Sequence, residues 1–145
     1  MPALTLLLAC TLSSACSSEF EARWPTGIRR MHGPGAPLSE DGQWQYFYRS
    51  GQLREQGSYD SARRDGLWTQ WFESGQRASS GERSWSAALG RSVRVGMWSF
   101  WHENGVLRAR GTFKEGTREG EWSYFDNHGA VDARHDGSYV QDMKQ

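Results

Sequence analysis

A ten-residue pattern returns four times in this chain, and it restricts the fold more than any other feature. The copies read Gly42-Gln-Trp44-Gln-Tyr-Phe47-Tyr-Arg-Ser-Gly51, Gly66-Leu-Trp68-Thr-Gln-Trp71-Phe-Glu-Ser-Gly75, Gly96-Met-Trp98-Ser-Phe-Trp101-His-Glu-Asn-Gly105 and Gly120-Glu-Trp122-Ser-Tyr-Phe125-Asp-Asn-His-Gly129. All four share G-x-W-x-x-[FW]-x-x-x-G, at successive spacings of 24, 30 and 24 residues. Self-similarity at such a period signals a repeat architecture, in which each unit buries its apolar face only against its neighbours. The six extra residues of the second copy fall within 84–94, a polar stretch bearing Ala and Ser that predicts an extended loop. Each copy continues to a further glycine, as in Gly57-Ser-Tyr59, Gly111-Thr-Phe113 and Gly137-Ser-Tyr139, with Gly81-Glu-Arg83 the exception that lacks an aromatic.

Side chains alternate faces along a strand, so each copy reads as one arm of a β-hairpin. Trp44, Trp68, Trp98 and Trp122 fall on one face, with Tyr46, Phe72, Phe100 and Tyr124. Phe47, Trp71, Trp101 and Phe125 fall on the other. Ser50-Gly51, Ser74-Gly75, Asn104-Gly105 and His128-Gly129 supply a glycine where a tight reversal needs positive φ. Stretches such as 52–59 and 106–113 then read as return strands. A lone hairpin is marginal in water, but four in series predict an all-β protein: tandem hairpins forming an extended, twisted antiparallel meander of about eight strands. Burying one aromatic removes roughly 150–250 Å² from water, which at about 25 cal/mol per Å² is several kcal/mol per repeat before chain entropy. The four motif tryptophans are thus the expected structural core.

Before the repeats the composition differs. Residues 1–16 are apolar or small and contain both cysteines of the chain, Cys10 and Cys16. The run is too short to span a bilayer as a helix and reads as an export signal. It resembles a bacterial lipoprotein signal peptide, in which a cysteine following small residues is lipidated and becomes the new N-terminus. After Ser13-Ser14-Ala15 the resemblance implies Cys16 as lipid anchor, and Ser17 behind it is similar to an outer-membrane sorting signal. Leu7-Leu8-Ala9-Cys10 also spells the motif, so two anchors are open; cleavage before Cys10 would leave a hydrophobic region of only about nine residues, at the short end of the usual range. An ordinary cleaved signal peptide is the plainer alternative. Residues 16–40 hold Pro25, Pro34 and Pro37 among Gly27, Gly33 and Gly35, which predicts a flexible linker. The expected organisation is a leader at 1–15, this linker, the four repeats at 41–140 and a tail at 141–145.

Charge and chemistry narrow the function. The chain carries 17 basic and 17 acidic residues, so no net field draws it to nucleic acid. Fifteen of the basic residues are Arg, a bias that favours planar contacts to carboxylates, phosphates and rings but that a GC-rich genome produces equally well. No nucleophile, phosphate-loop or metalloprotease motif is present, and no catalytic residue or cofactor is expected. The nearest approach to a metal cluster, Asp126, His128, Asp132, His135 and Asp136, includes a His at a turn position taken by Ser or Asn elsewhere, which reads as turn chemistry, not as ligands.

The repeats resemble the MORN-repeat variant of bacteria, which includes proteins labelled as YwqK-type antitoxins of toxin–antitoxin systems. The resemblance covers roughly residues 40–140 and rests on the Gly, Trp, aromatic and Gly at fixed offsets. It implies a tandem-hairpin sheet and a non-catalytic role. With the leader, it points to an envelope-tethered module that binds or scaffolds a protein or a cell-wall carbohydrate. The alternative is an antitoxin or immunity-type protein that neutralises a toxin partner, which fits an exported copy less well. The candidate partner-binding surface is the second face, where Phe47, Trp71, Trp101 and Phe125 form a row beside Arg49, Glu73 and Glu103. Either a partner meets this row, or neighbouring strands, the 84–94 stretch or the N-terminal segment cover it.

Overall fold

The alternating aromatic segments fold as strands, and every one of them pairs with its neighbours in sequence. The computed structural model describes residues 19–35 and 41–145. The expected leader at 1–15, with Cys10, and the expected anchor Cys16 lie outside the described residues. The strands are β1 (Glu19–Arg23), β2 (Arg29–Pro34), β3 (Gly42–Phe47), β4 (Leu53–Asp60), β5 (Arg63–Trp71), β6 (Arg77–Ser86), β7 (Arg91–Trp101), β8 (Leu107–Lys114), β9 (Thr117–Tyr124), β10 (Gly137–Val140) and β11 (Met143–Lys144). They form one sheet in the order β1 to β11, all antiparallel to their neighbours. The fold is the all-β meander of tandem hairpins that the repeat pattern predicts.

The sheet has a fifth hairpin where a flexible linker was expected. Within 16–40, residues 19–34 form β1 and β2, and β2 pairs with β3 through Met31 with Tyr46 and His32 with Gln45. The repeat period explains this. Counting back 24 residues, Phe20 stands where Trp44 stands, Gly27 where Gly51 stands and Gly33 where Gly57 stands. Pro25 is placed in the turn, where Trp24 N–H donates to Ile28 O (2.7 Å) and Gly27 N–H donates to Trp24 O (2.8 Å), so its missing donor costs no ladder bond. Pro34 ends β2, and of the 16–40 stretch residues 16–18 and 36–40 lie outside the described residues.

Two smaller expectations also change. The stretch 84–94 is not a loop: its ends lengthen β6 and β7, which pair from Arg83 with Arg94 to Ser86 with Arg91, so only 87–90 is left to turn the chain. The tail at 141–145 contains β11, held by Tyr139 opposite Lys144, while Lys144 Nζ donates to Ala133 O (3.2 Å) and Arg134 O (2.9 Å).

Two irregularities recur along the sheet between β1 and β9 and set its shape. The register slips in the return strands, leaving Arg30, Arg54, Ala78 and Arg108 without a direct partner near the turn. A second slip, between Gly57 and Ser58, Gly81 and Glu82, and Gly111 and Thr112, places two extra residues opposite the junction. One of these two is the first motif glycine, such as Gly66 at φ +73°, a conformation from which a Cβ is sterically disfavoured. The motif is therefore spelled with glycine at this offset because the bulge needs it.

Candidate functional site

Both faces of the sheet carry aromatic rows, and the slips in register decide what each row does. On the first face Trp44, Trp68, Trp98 and Trp122 are 0–2% exposed. Each lies across the glycine of the preceding return strand, Gly33, Gly57, Gly81 and Gly111 respectively. The bulge frees a carbonyl for the indole: Trp68 Nε1–H donates to Ser58 O (3.0 Å), Trp98 to Glu82 O (2.9 Å) and Trp122 to Thr112 O (3.0 Å), while Trp44 donates to Asp41 O (3.2 Å). A buried indole thereby keeps its polar edge satisfied. Phe20 packs on Trp44 at 6.0 Å between ring centroids, closing the N-terminal end of the row.

The same face bears guanidinium groups that the aromatic pattern does not reveal. Arg64, Arg94 and Arg118 each stand four residues before a motif tryptophan. Arg64 lies over the Trp68 ring at 4.1 Å and grips Glu55 with two hydrogen bonds, Nη1 to Oε2 (3.1 Å) and Nη2 to Oε1 (2.9 Å). Glu55 is 6% exposed and also accepts from Gln70 Nε2 (3.2 Å). Burial pushes its carboxyl pKa up, but the hydrogen bonds and charge of Arg64 and the hydrogen bond of Gln70 outweigh that, and the net shift is downward. Arg118 bonds Asp142 Oδ1 (2.9 Å) and Tyr124 Oη (2.9 Å). Among the described residues Arg94 has no such carboxylate; it lies over Trp98 (4.9 Å), Phe100 (5.4 Å) and Phe113 (5.5 Å).

The second face is largely a ladder of short polar pairs. Gln43 Nε2 donates to Ser58 Oγ (2.9 Å), Gln45 Nε2 to Gln56 Oε1 (3.0 Å), and Thr69 and Ser80 share a hydrogen bond of 3.1 Å. Phe47, Trp71, Trp101 and Phe125 are half-buried, at the turn end of their strands. Trp71 and Trp101 flank a shallow groove completed by Gln76, Arg77 and Gly105, and Arg77 lies 5.3 Å from the Trp101 ring. Phe47 is capped by Arg29 from the N-terminal hairpin at 5.8 Å. The 87–90 turn joins the strands at the end away from the hairpin turns. Glu73 and Glu103 are exposed beside the row, whereas Arg49 leaves it and stacks on Trp24 at 5.1 Å, with Arg30 also on that ring at 5.6 Å.

The acidic and histidine residues of the last repeat serve its turns. Asp126 Oδ1 accepts from His128 N–H and Ala130 N–H (both 2.9 Å), Asp136 Oδ1 accepts from Tyr124 N–H (3.1 Å), and Asp132 Oδ2 meets His135 Nδ1 (2.8 Å). Among the described residues no group of three or more His, Cys, Asp or Glu is placed to hold a metal ion.

Sequence reasoning missed the Arg64–Glu55 pair and the N-terminal hairpin. A signal existed for each: an Arg four residues before three of the tryptophans, and Phe20, Gly27 and Gly33 at the 24-residue period.

Compared with known families, residues 40–61 and 94–115 match the MORN repeat variant. These spans are the first and third copies of the motif, each running from just before the G-x-W bulge to the end of its return strand. No curated protein matches it significantly.

Proposed function

We propose that this chain is a non-catalytic binding module, tethered to the cell envelope through lipid at Cys16, that presents its second face to a protein partner or to cell-wall carbohydrate. The observation that carries the reading is the Trp71–Trp101 groove: two half-buried indoles with an arginine between them, on a face whose other residues are mostly paired to one another. Flat aromatic surface beside a guanidinium suits both a peptide backbone and a sugar ring. MORN-variant repeats in the chain support a repeat-module role, and the leader supports export.

Two measurements test it. Intact mass and membrane fractionation of the expressed chain beside Cys16→Ser are expected to show a diacylglycerol-sized increment and membrane partition, both lost in the variant. An unmodified soluble chain would sink the anchor and move the antitoxin reading to first place. For the face, the full chain and a Trp71→Ser/Trp101→Ser variant are cross-linked in envelope preparations. A partner captured by the first and lost by the second supports the groove; equal capture removes it.

A further inference from the structure

The first face contains a second groove, and it exists because one repeat departs from its neighbour. Across the junction between the second and third described hairpins, Arg54 lies over Tyr46 (5.9 Å) and Glu55 fills the space before Arg64. One repeat later, at the same 24-residue offset, the two positions are Ala78 and Ser79. The large cation and the carboxylate are both gone, and Tyr59, whose Oη accepts from Arg64 Nε (3.3 Å), is replaced by Arg83. What remains is an open groove over Gln70, Ser79 and Phe100, walled by Arg94 and Arg108.

The charges there are left unbalanced. Arg94 and Arg108 lie over the same Phe100 ring, at 5.4 Å and 5.6 Å from its centroid. Neither makes an ion pair among the described residues, and Arg94 Nε is buried with no hydrogen-bond partner there. Arg83 adds a third positive charge nearby: burial first, then the charges of Arg64 and Arg94, depress its pKa. Ser79 Oγ donates to Gln70 Oε1 (2.9 Å) and supplies no charge. The carboxylate bordering the groove is Glu103, exposed at the turn end. A half-buried guanidinium held only by aromatic rings retains its strongest bonding capacity, which is bidentate and planar.

We infer that the Arg94–Arg108 groove is a carboxylate-binding site, which receives a Glu or Asp side chain from an acidic segment of a partner protein in the place that Glu55 occupies one repeat earlier. The neighbouring junction shows the recognition mode within the same molecule: Arg64 takes a carboxylate through two hydrogen bonds over an aromatic floor, with Gln70 donating a third to the same carboxylate. That precedent favours a carboxylate over a phosphate. Trp101 borders both grooves, but Trp71 lines only the first and Arg94 only this one, so Trp71→Ser and Arg94→Gln separate this site from the function proposed above.

The test titrates the full chain with an N-acetylated tetraglutamate peptide, and in parallel with inorganic phosphate, following arginine Nε–Hε resonances and affinity. The expected result is that Arg94 and Arg108 signals move with the peptide and that Arg94→Gln weakens binding about tenfold, the loss of one charge-assisted hydrogen-bonded contact. The Ala78→Arg/Ser79→Glu variant recreates the Arg54–Glu55 sequence, so it should supply the carboxylate from within and abolish peptide binding. If that variant does not fold, Arg108→Gln, at an exposed position, serves in its place and is expected to weaken binding severalfold. Peptide binding that survives these substitutions, or phosphate saturating the site as well as the peptide does, would overturn the inference.

Discussion

The indole of Trp68 lies against the backbone of Gly57, its cross-strand partner in the preceding hairpin, so closely that a Cβ on Gly57 would overlap ring atoms Cδ2, Cε2 and Cγ. The same relation holds for Gly81 under Trp98 and Gly111 under Trp122. Because each of these glycines is also paired with the tryptophan of its own hairpin, Trp and Gly alternate across the sheet from Trp44 to Gly137. A large ring beside no side chain at all is how a single-layer sheet buries its tryptophans.

Gly81→Ala is therefore expected to destabilise the protein by at least about 2 kcal/mol, since the ring and the backbone on either side have no room to give. Gly90→Ala is the control. Gly90 has φ +61° but open space around it, so only the left-handed backbone penalty of about 1 kcal/mol applies. Denaturant unfolding of both variants checks the ordering; equal costs would show that the Trp–Gly contact is not tight.

Trp98→Ala should cost about 3–5 kcal/mol, because its side chain is buried against Phe100, Phe113 and Arg94 and its N–H bonds Glu82 O. Trp101→Ala, on the half-buried row, should cost distinctly less. A loss below 1 kcal/mol for Trp98→Ala would place that residue at the surface.

Glu55→Gln is expected to cost about 2 kcal/mol at neutral pH, less than for a fully buried pair because Arg64 keeps 27% of its side chain exposed. The pH dependence has a definite sign. The folded-state pKa of Glu55 is depressed, so its contribution is complete above the ordinary glutamate value and is lost as the pH falls through the lower, folded-state value. The wild type should lose stability on acidification below the ordinary carboxylate range, and Glu55→Gln should show a shallower decline. Melting curves across that acidic range decide it; parallel declines would mean that Glu55 is not the coupled group.

Phe20→Ala tests the N-terminal hairpin. Phe20 is 7% exposed and packs with Met31 over Trp44, which is itself fully buried. Truncation is expected to cost about 3 kcal/mol and to open the edge of the row over Trp44. The readout is a red-shifted tryptophan emission at a denaturant concentration where wild type is still folded. A change within about 0.5 kcal/mol would return residues 19–34 to the status of a loosely attached lead-in.

Much of this was legible in the chain itself. The period, the turn glycines and the strict alternation around each tryptophan determine hairpins, their order and which ring faces which way, because all of these depend on neighbours within about ten residues. The N-terminal hairpin was obscured by its prolines and by Phe20 standing in for Trp, although its spacing of 24 residues obeys the rule. What only the tertiary structure decided lies between hairpins. Which carbonyl each indole reaches, why Gly57 must lack a side chain, and that Glu55 stands before Arg64 as Ser79 does before Arg94 all depend on cross-strand register and on the recurring bulges. A one-residue slip moves every side chain to the other face, so local pattern gives the faces and the register between repeats gives the contacts.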